Sequence, residues 1–161
     1  MLLRTPYFDK LDRKLIRWMS RYGIKLLRIS IGIVFFWFGF LKFFPGVSPA
    51  EELAVNTIQV ISFNLLEPRA TLTILAIWES LIGLGLISGL LLRETLLLLF
   101  LQMIGTLFPI FIFPGEVFAR IPYALTLEGQ YIIKNLALMS AGLVIGATVR
   151  GGKILPEPDN S

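Results

Sequence analysis

Four long runs of apolar residues dominate the pattern along this chain. They cover residues 26–44, 71–92, 95–113 and 131–149. At about 1.5 Å of rise per residue, each run is long enough as a helix to cross a hydrocarbon core of about 30 Å. Backbone polar groups cannot stay unpaired in lipid, so each run is predicted to be a transmembrane helix. The pattern therefore predicts an all-α membrane protein, a four-transmembrane-helix bundle in a single membrane domain over residues 1–161.

The polar segments between the runs predict shorter elements. Residues 1–25 alternate basic and apolar side chains, which indicates an amphipathic arm lying on an anionic membrane surface; a solvated basic arm is the alternative. A signal peptide is an alternative for the first run, but that run is too long for one and contains Lys42. Arg93 and Glu94 alone separate the second and third runs, so these should form a tight antiparallel hairpin. Pro109 should kink or loosen the third.

The loop after the first run carries a helix-start signal. Ser48 at the N-cap, Pro49 at the first helical position and Glu51 at the third would form a capping box. We therefore expect a surface helix over residues 49–62, lying flat as a lid. The loop "PGEVFARIPYALTLEGQ" (residues 114–130) is expected to be irregular or to form a short re-entrant piece.

Charge sets the expected orientation. The basic residues before the first span are Arg4, Lys10, Arg13, Lys14, Arg17, Arg21, Lys25 and Arg28. Arg93, Arg150 and Lys153 lie on the same side, whereas the loops on the other side are mostly acidic. The positive-inside rule then places both termini, including the tail at residues 150–161, in the cytoplasm.

Composition narrows the chemistry. The mean hydropathy of +0.76 agrees with an integral membrane protein. The chain has no cysteine and no histidine, which excludes disulfides, thiol redox chemistry and the usual zinc and haem ligands. No metal site is predicted, and no nucleic-acid motif accompanies the net charge of +4.

Polar residues within the apolar runs are the candidates for function. Ionisable residues inside a membrane usually face the bundle interior and pair with one another. Helical rise places Lys42, Glu79 and Lys134 in the same half of the membrane, so we expect them to converge, with Gln102 deeper. Arg28 lies at the boundary and can snorkel to the surface. The predicted ligand-binding set is Lys42, Glu79, Lys134, Asn135, Trp78 and Gln102, with no catalytic residue assigned.

Two interpretations of this set remain open. Two lysines against one glutamate leave a spare positive charge, which favours a bound anion, a polar lipid head or a quinone carbonyl. An ion pair that only fixes helix packing is the alternative, and Lys42 can also snorkel outward. The aromatic side chains at this level, Trp78 among them, suit a sandwiched flat ligand or an interfacial aromatic belt.

Three patterns carry a resemblance to a known family. They are Arg28 with Gly39 and Lys42, Glu79 with Gly83, and Gly129 with Lys134 and Asn135. In these positions the chain resembles the DoxX-like integral membrane proteins, nearest to the RclC-like branch. The resemblance implies a multi-pass protein of the bacterial cytoplasmic (inner) membrane. Some members of that family are subunits of a thiosulfate:quinone oxidoreductase, and others are linked to oxidative stress.

Three functions are consistent with these observations. The first is a redox-associated membrane subunit that contacts quinone or lipid, partnered by the bilayer and by a redox complex; quinone is then the one candidate cofactor. The second is a structural or assembly factor. The third is a component of a small-solute transporter, which predicts a homo-oligomer because four helices enclose only a narrow pathway. Whether the chain is an enzyme is left open.

Overall fold

The computed structural model describes residues 6–48 and 50–152. Within them the elements are α1 (Pro6–Leu41), α2 (Glu51–Ile61), α3 (Pro68–Ser88), α4 (Leu92–Gly105), α5 (Pro109–Ile112), α6 (Pro114–Val117), β1 (Phe118–Arg120), β2 (Ala124–Leu125), α7 (Leu127–Ala147) and a final 3₁₀ turn (Val149–Gly151). Four stretches among the described residues are long and apolar enough to cross a membrane, and these are Phe8–Leu41, Pro68–Ser88, Leu92–Ile112 and Leu127–Ala147. The predicted all-α, four-span class is confirmed.

The N-terminal arm and the first span form one helix. α1 runs for 36 residues without a break, so the arm is helical but is not set apart from the span. At about 1.5 Å per residue such a helix is about 54 Å long, well beyond a hydrocarbon core of about 30 Å. An arm lying flat on the membrane therefore differs from the continuous helix found in the structure.

The surface helix α2 begins later than its sequence signal indicated. The residue before its first turn is Ala50, in a left-handed conformation (φ 54°), so Ser48 is not the N-cap. Pro49 lies outside the described residues. The Glu51 carboxylate instead accepts hydrogen bonds from the Gly46 backbone N–H, at 3.1 and 3.0 Å. The glutamate thus reaches back along the chain as in a capping box, but to a residue before the expected cap.

The second and third spans form the expected hairpin, with a different turn. Gly89 (φ 77°) and Leu91 (φ 48°) reverse the chain, and Arg93 and Glu94 belong to the first turn of α4. The third span is interrupted: α4 ends at Gly105, and α5 starts at Pro109. Since proline cannot donate a backbone hydrogen bond, it is suited to the first turn of a new helix.

The loop before the last span is more ordered than its glycines and prolines indicated. It contains α6 and a two-stranded antiparallel hairpin in which Phe118 pairs with Leu125. Thr126 then caps α7, its hydroxyl oxygen accepting from the Gly129 N–H at 3.1 Å. The remainder of the predicted tail, residues 153–161, lies outside the described part of the chain.

Helix α1 packs most extensively against α3. Glycines permit this close approach: a Cβ on Gly32 would lie 2.8 Å from Ile87, and one on Gly39 would lie 2.7 Å from the Ser80 backbone nitrogen. The main buried cluster joins α1, α3, α4 and α7 through Ile31, Phe35, Ile82, Leu86, Leu96, Leu99, Met103 and Ile145. A smaller cluster of Leu53, Val117 and Ile132 holds α2, α6 and α7 together at the end where Lys42 lies.

Candidate functional site

Lys42 and Glu79 form a buried ion pair between the first two spans. The Lys42 Nζ lies 2.6 Å from Glu79 Oε2, and the two side chains are only 9% and 12% exposed. Lys42 follows the last residue of α1, and its backbone N–H donates to the Gly39 carbonyl at 3.2 Å. Because Gly39 has no side chain, the end of α1 lies directly against the backbone of α3 at Glu79 and Ser80. The predicted pairing is therefore present in the structure.

Gln102 completes the group. Its Nε2 donates to Glu79 Oε1 at 2.5 Å, so the two oxygens of one carboxylate receive donors from two other elements. We call Lys42, Glu79 and Gln102 the polar cluster. It links the end of α1 to α3 and α4, and it satisfies the Glu79 charge on both sides. A carboxylate held by such donors stays stable in an apolar interior far better than a lone one.

Two buried polar atoms beside the pair lack partners within the described residues. Gln102 Oε1 and Ser80 Oγ are buried and make no hydrogen bond to any described residue. Buried polar groups are nearly always paired, so an unpaired one is a candidate for a binding or catalytic contact. Gln102 Oε1 is therefore a buried acceptor for which the described residues supply no donor.

Lys134 does not join this group, and the expected convergence of three charges is wrong. Lys134 is exposed, and its Nζ lies 5.6 Å from the centroid of the Tyr131 ring on the same helix. Its long side chain can reach the membrane surface along an aromatic neighbour. The cluster therefore has one cation and one anion, and the spare positive charge expected from the sequence is absent from it.

Asn135 and Trp78 serve other contacts. The Asn135 Nδ2 donates to Thr106 Oγ1 at 3.1 Å and ties α7 to the interruption after α4. The Trp78 Nε1 donates to the Leu98 carbonyl at 3.2 Å and ties α3 to α4. Nothing in the sequence singled out Thr106, whose hydroxyl also donates to the Met103 carbonyl at 2.8 Å. Asn135 and Trp78 thus stabilise helix packing around the cluster.

The aromatic residues of the first span divide between two surroundings. Phe35 is buried in the core, whereas Trp37, Phe40 and Phe44 are exposed on the outside of the bundle. Exposed aromatic side chains at the end of a span are typical of an interfacial belt. The exposure of Trp37, Phe40 and Phe44 therefore favours the aromatic belt for these three residues.

Arg28 is packed more closely than a snorkelling side chain. Its guanidinium lies against Gly89, the left-handed residue that ends α3, where any side chain would collide with it. The carboxyl end of a helix carries a partial negative charge that favours a cation. The Nε of Arg28 is buried and finds no hydrogen-bond partner within residues 6–48 and 50–152. The Arg28 side chain therefore packs the first span against the end of the second.

An acidic cavity opens at the α2 end of the bundle. Its volume is about 500 Å³, and its lining includes the carboxylates of Glu51, Glu52, Glu116 and Glu128. Sequence reasoning placed these acids on one side of the membrane but did not bring them together. Within residues 6–48 and 50–152, no group of three or more potential ligands is arranged to hold a metal ion.

Comparison with known proteins identifies one family. The family model described as DoxX matches residues 23–113. That range contains all of the polar cluster but ends before α7, so the pattern at Gly129, Lys134 and Asn135 is outside the match. No curated protein and no solved structure matches the chain.

Proposed function

The chain belongs to the DoxX family of membrane proteins, and from that premise we propose that it is a redox-associated membrane subunit whose polar cluster contacts the head of a quinone. The observation that carries the proposal is the buried Gln102 Oε1, which has no hydrogen-bond partner in the described part of the chain although the same amide donates to Glu79. A quinol hydroxyl can donate a hydrogen bond to this oxygen.

The cluster also offers donors. An ammonium group carries three protons, and the described contacts of Lys42 use one of them on Glu79. A quinone carbonyl can accept another. The oxidised and reduced forms of a quinone present acceptors and donors respectively, and the cluster contains groups suited to both. Glu79 is then the group beside the ligand that can exchange a proton.

Electron transfer requires a partner under this proposal. The chain has no cysteine or histidine with which to bind an iron–sulfur cluster or haem in the usual way. The electrons of the quinone couple would therefore pass to or from another subunit. We place both termini in the cytoplasm of a bacterial cell, because the arm and the α3–α4 turn carry the basic residues.

A structural role is the second candidate, and it is supported by the donors that satisfy both oxygens of the Glu79 carboxylate. Glu79 has a donor on each oxygen, and glycine contacts bring α1 and α3 together beside it. Such a pair can hold the helices in one arrangement without any ligand. This role predicts that changes to the cluster lower stability and affect no small-molecule binding.

Binding of a short-chain ubiquinone analogue to the purified protein in lipid nanodiscs tests the proposal. Gln102→Leu should weaken binding at least ten-fold, because it removes the free acceptor and the amide donor. Lys134→Met is the matched control, since it removes a lysine that is exposed and outside the cluster; its affinity should equal that of the wild type. Equal affinity in wild type and Gln102→Leu, with both proteins folded by circular dichroism, would overturn the quinone site.

A further inference from the structure

The arm of α1, residues 8–22, has two distinct faces. Its exposed apolar side chains are Phe8, Leu11, Leu15, Ile16, Trp18, Met19 and Tyr22. Its basic residues are Lys10, Arg13, Lys14, Arg17 and Arg21, against two acidic ones. A helix with this division of residues is typical of one that lies at a membrane surface.

The apolar face of the arm continues the lipid-facing side of the span. Counting about 100° per residue from Gly32 and Gly39, which face α3, places Arg17 about 50° from the bundle-facing direction and Leu15 about 110° from it. The exposed residues Ile33 and Trp37 of the span lie on the same side as Leu15, about 110° and about 150° from the bundle-facing direction. One apolar stripe therefore runs the length of α1, and its outer part borders lipid.

Gly23 lies where the arm meets the span. A Cβ on Gly23 would meet no described residue within 4 Å, whereas Gly32 and Gly39 are required for close helix contact. A glycine inside a helix lowers helix stability relative to alanine and is a common site of bending. The family match also begins at residue 23, so the arm is outside the matched part. Helix packing does not require a glycine at position 23, whereas bending of α1 at this position does favour one.

From these observations we propose that the arm bends at Gly23 away from the bundle and lies in the adjacent anionic lipid leaflet. Bending toward the side of Ile33 and Trp37 turns the apolar face of the arm toward the membrane. The lysine and arginine side chains then extend to lipid phosphates from the sides of the helix. A second copy of the arm is a poorer partner, because both arms carry an excess of positive charge.

Spin labelling of the full chain tests this arrangement, and the absence of native cysteine makes single labels straightforward. Nitroxides at Leu15→Cys and Arg17→Cys would report on the two faces in vesicles of phosphatidylcholine and phosphatidylglycerol. We expect the label at position 15 to collide preferentially with oxygen and the label at 17 with a water-soluble nickel chelate. Removing the anionic lipid should weaken this contrast.

Two results would overturn the proposal. Equal access of the nickel chelate to both labels would mean that the arm stays in water. Spin–spin broadening at position 15 that disappears on dilution with unlabelled protein would mean that a second copy covers the apolar face.

The bend itself has a separate test. In a protein labelled at position 15, Gly23→Ala should lower the ratio of membrane-bound to straight arm roughly five-fold, as expected from the helix propensities of the two residues. Gly105→Ala is the matched control, because a Cβ there also meets nothing within 4 Å; it should leave the ratio unchanged. An unchanged ratio in Gly23→Ala would show that Gly23 is not the site of bending.

Discussion

Gly83 of α3 lies directly against the backbone of Phe36 in α1. A Cβ on Gly83 would lie 2.6 Å from the Cα of Phe36, closer than real side chains approach backbone atoms. The two spans therefore touch backbone to backbone at this level. Close contacts of this kind provide much of the association between helices in lipid, where apolar side chains gain little from leaving the solvent.

Replacing Gly83 should separate these helices. Gly83→Ala is expected to destabilise the protein by about 1–3 kcal/mol, because the backbone of Phe36 cannot move aside as a flexible side chain can. Thermal unfolding in detergent measures the effect. Gly105→Ala, where the added methyl meets open space, should change the melting temperature little. Similar melting temperatures for both variants would contradict the close α1–α3 contact.

Removing one partner of the buried ion pair should be more harmful than removing both. Glu79→Leu is expected to cost about 3–5 kcal/mol, since Lys42 is left without a counter-charge. The double variant Lys42→Met, Glu79→Leu should recover most of that loss, because it leaves no unpaired charge. Detergent melting of the wild type, Lys42→Met, Glu79→Leu and the double variant gives the coupling energy. A double variant as unstable as the sum of the two single ones would mean that the residues do not interact.

Lys42→Ala should cost less than Glu79→Ala. Glu79 without Lys42 keeps the hydrogen bond from Gln102, whereas the removal of Glu79 leaves both donors without their acceptor. Lys134→Ala serves as the control for the loss of a lysine, because its side chain is exposed. Melting temperatures should fall in the order Lys134→Ala, Lys42→Ala and Glu79→Ala, from highest to lowest. The reverse order for the last two would mean that Glu79 is not the centre of the cluster.

Neighbouring residues on α7 should respond differently to substitution. Asn135→Leu is expected to destabilise the protein by about 1 kcal/mol, because it removes the bond to Thr106 that connects α7 with the end of α4. Lys134→Met should be close to neutral, since it replaces an exposed side chain that contacts only Tyr131 among the described interactions. Chemical unfolding of both variants in the same detergent makes the comparison. A larger loss of stability in Lys134→Met would mean that Lys134, and not Asn135, lies inside the bundle.

The start of α2 should depend on Glu51. Glu51→Ala removes the carboxylate that accepts from the Gly46 N–H, so hydrogen exchange at Gly46 and in the first turn of α2 should speed up. The local loss expected from a capping interaction is about 0.5–2 kcal/mol, which corresponds to exchange faster by about two-fold to about 30-fold. Glu52→Ala, an exposed neighbour, should leave this exchange unchanged. Equal acceleration in both variants would indicate a general effect of lost charge instead.

Sequence patterns predict the spans well because the physical requirement is simple. An apolar run of sufficient length in lipid has to be a helix, and the polar residues Lys42 and Glu79 have to find partners. Both predictions are matched by the structure. The sequence could not predict that the arm and the first span form one continuous helix. A basic amphipathic segment has the same pattern whether it continues the span or bends away from it.

The error at Lys134 has a geometric cause. Lys134 and Asn135 are neighbours on one helix, about 100° apart, so only one of them can point directly toward α4. The short amide of Asn135 has to be satisfied inside the bundle, whereas a lysine can extend to the surface. The same rule, applied to the choice between these two neighbours on α7, assigns the inward position to Asn135.

The order of Lys42 and Glu79 along the chain matters for biogenesis. Lys42 is synthesised 37 residues before its partner, at the end of a span where an ammonium can remain among lipid headgroups. Glu79 lies within its span and cannot reach the headgroups in this way, but Lys42 has already been synthesised when α3 enters the bilayer. The residue that can remain unpaired at the membrane surface is thus synthesised first. Its pairing with Glu79 would join α1 to α3 while α4, which supplies Gln102, is still being synthesised.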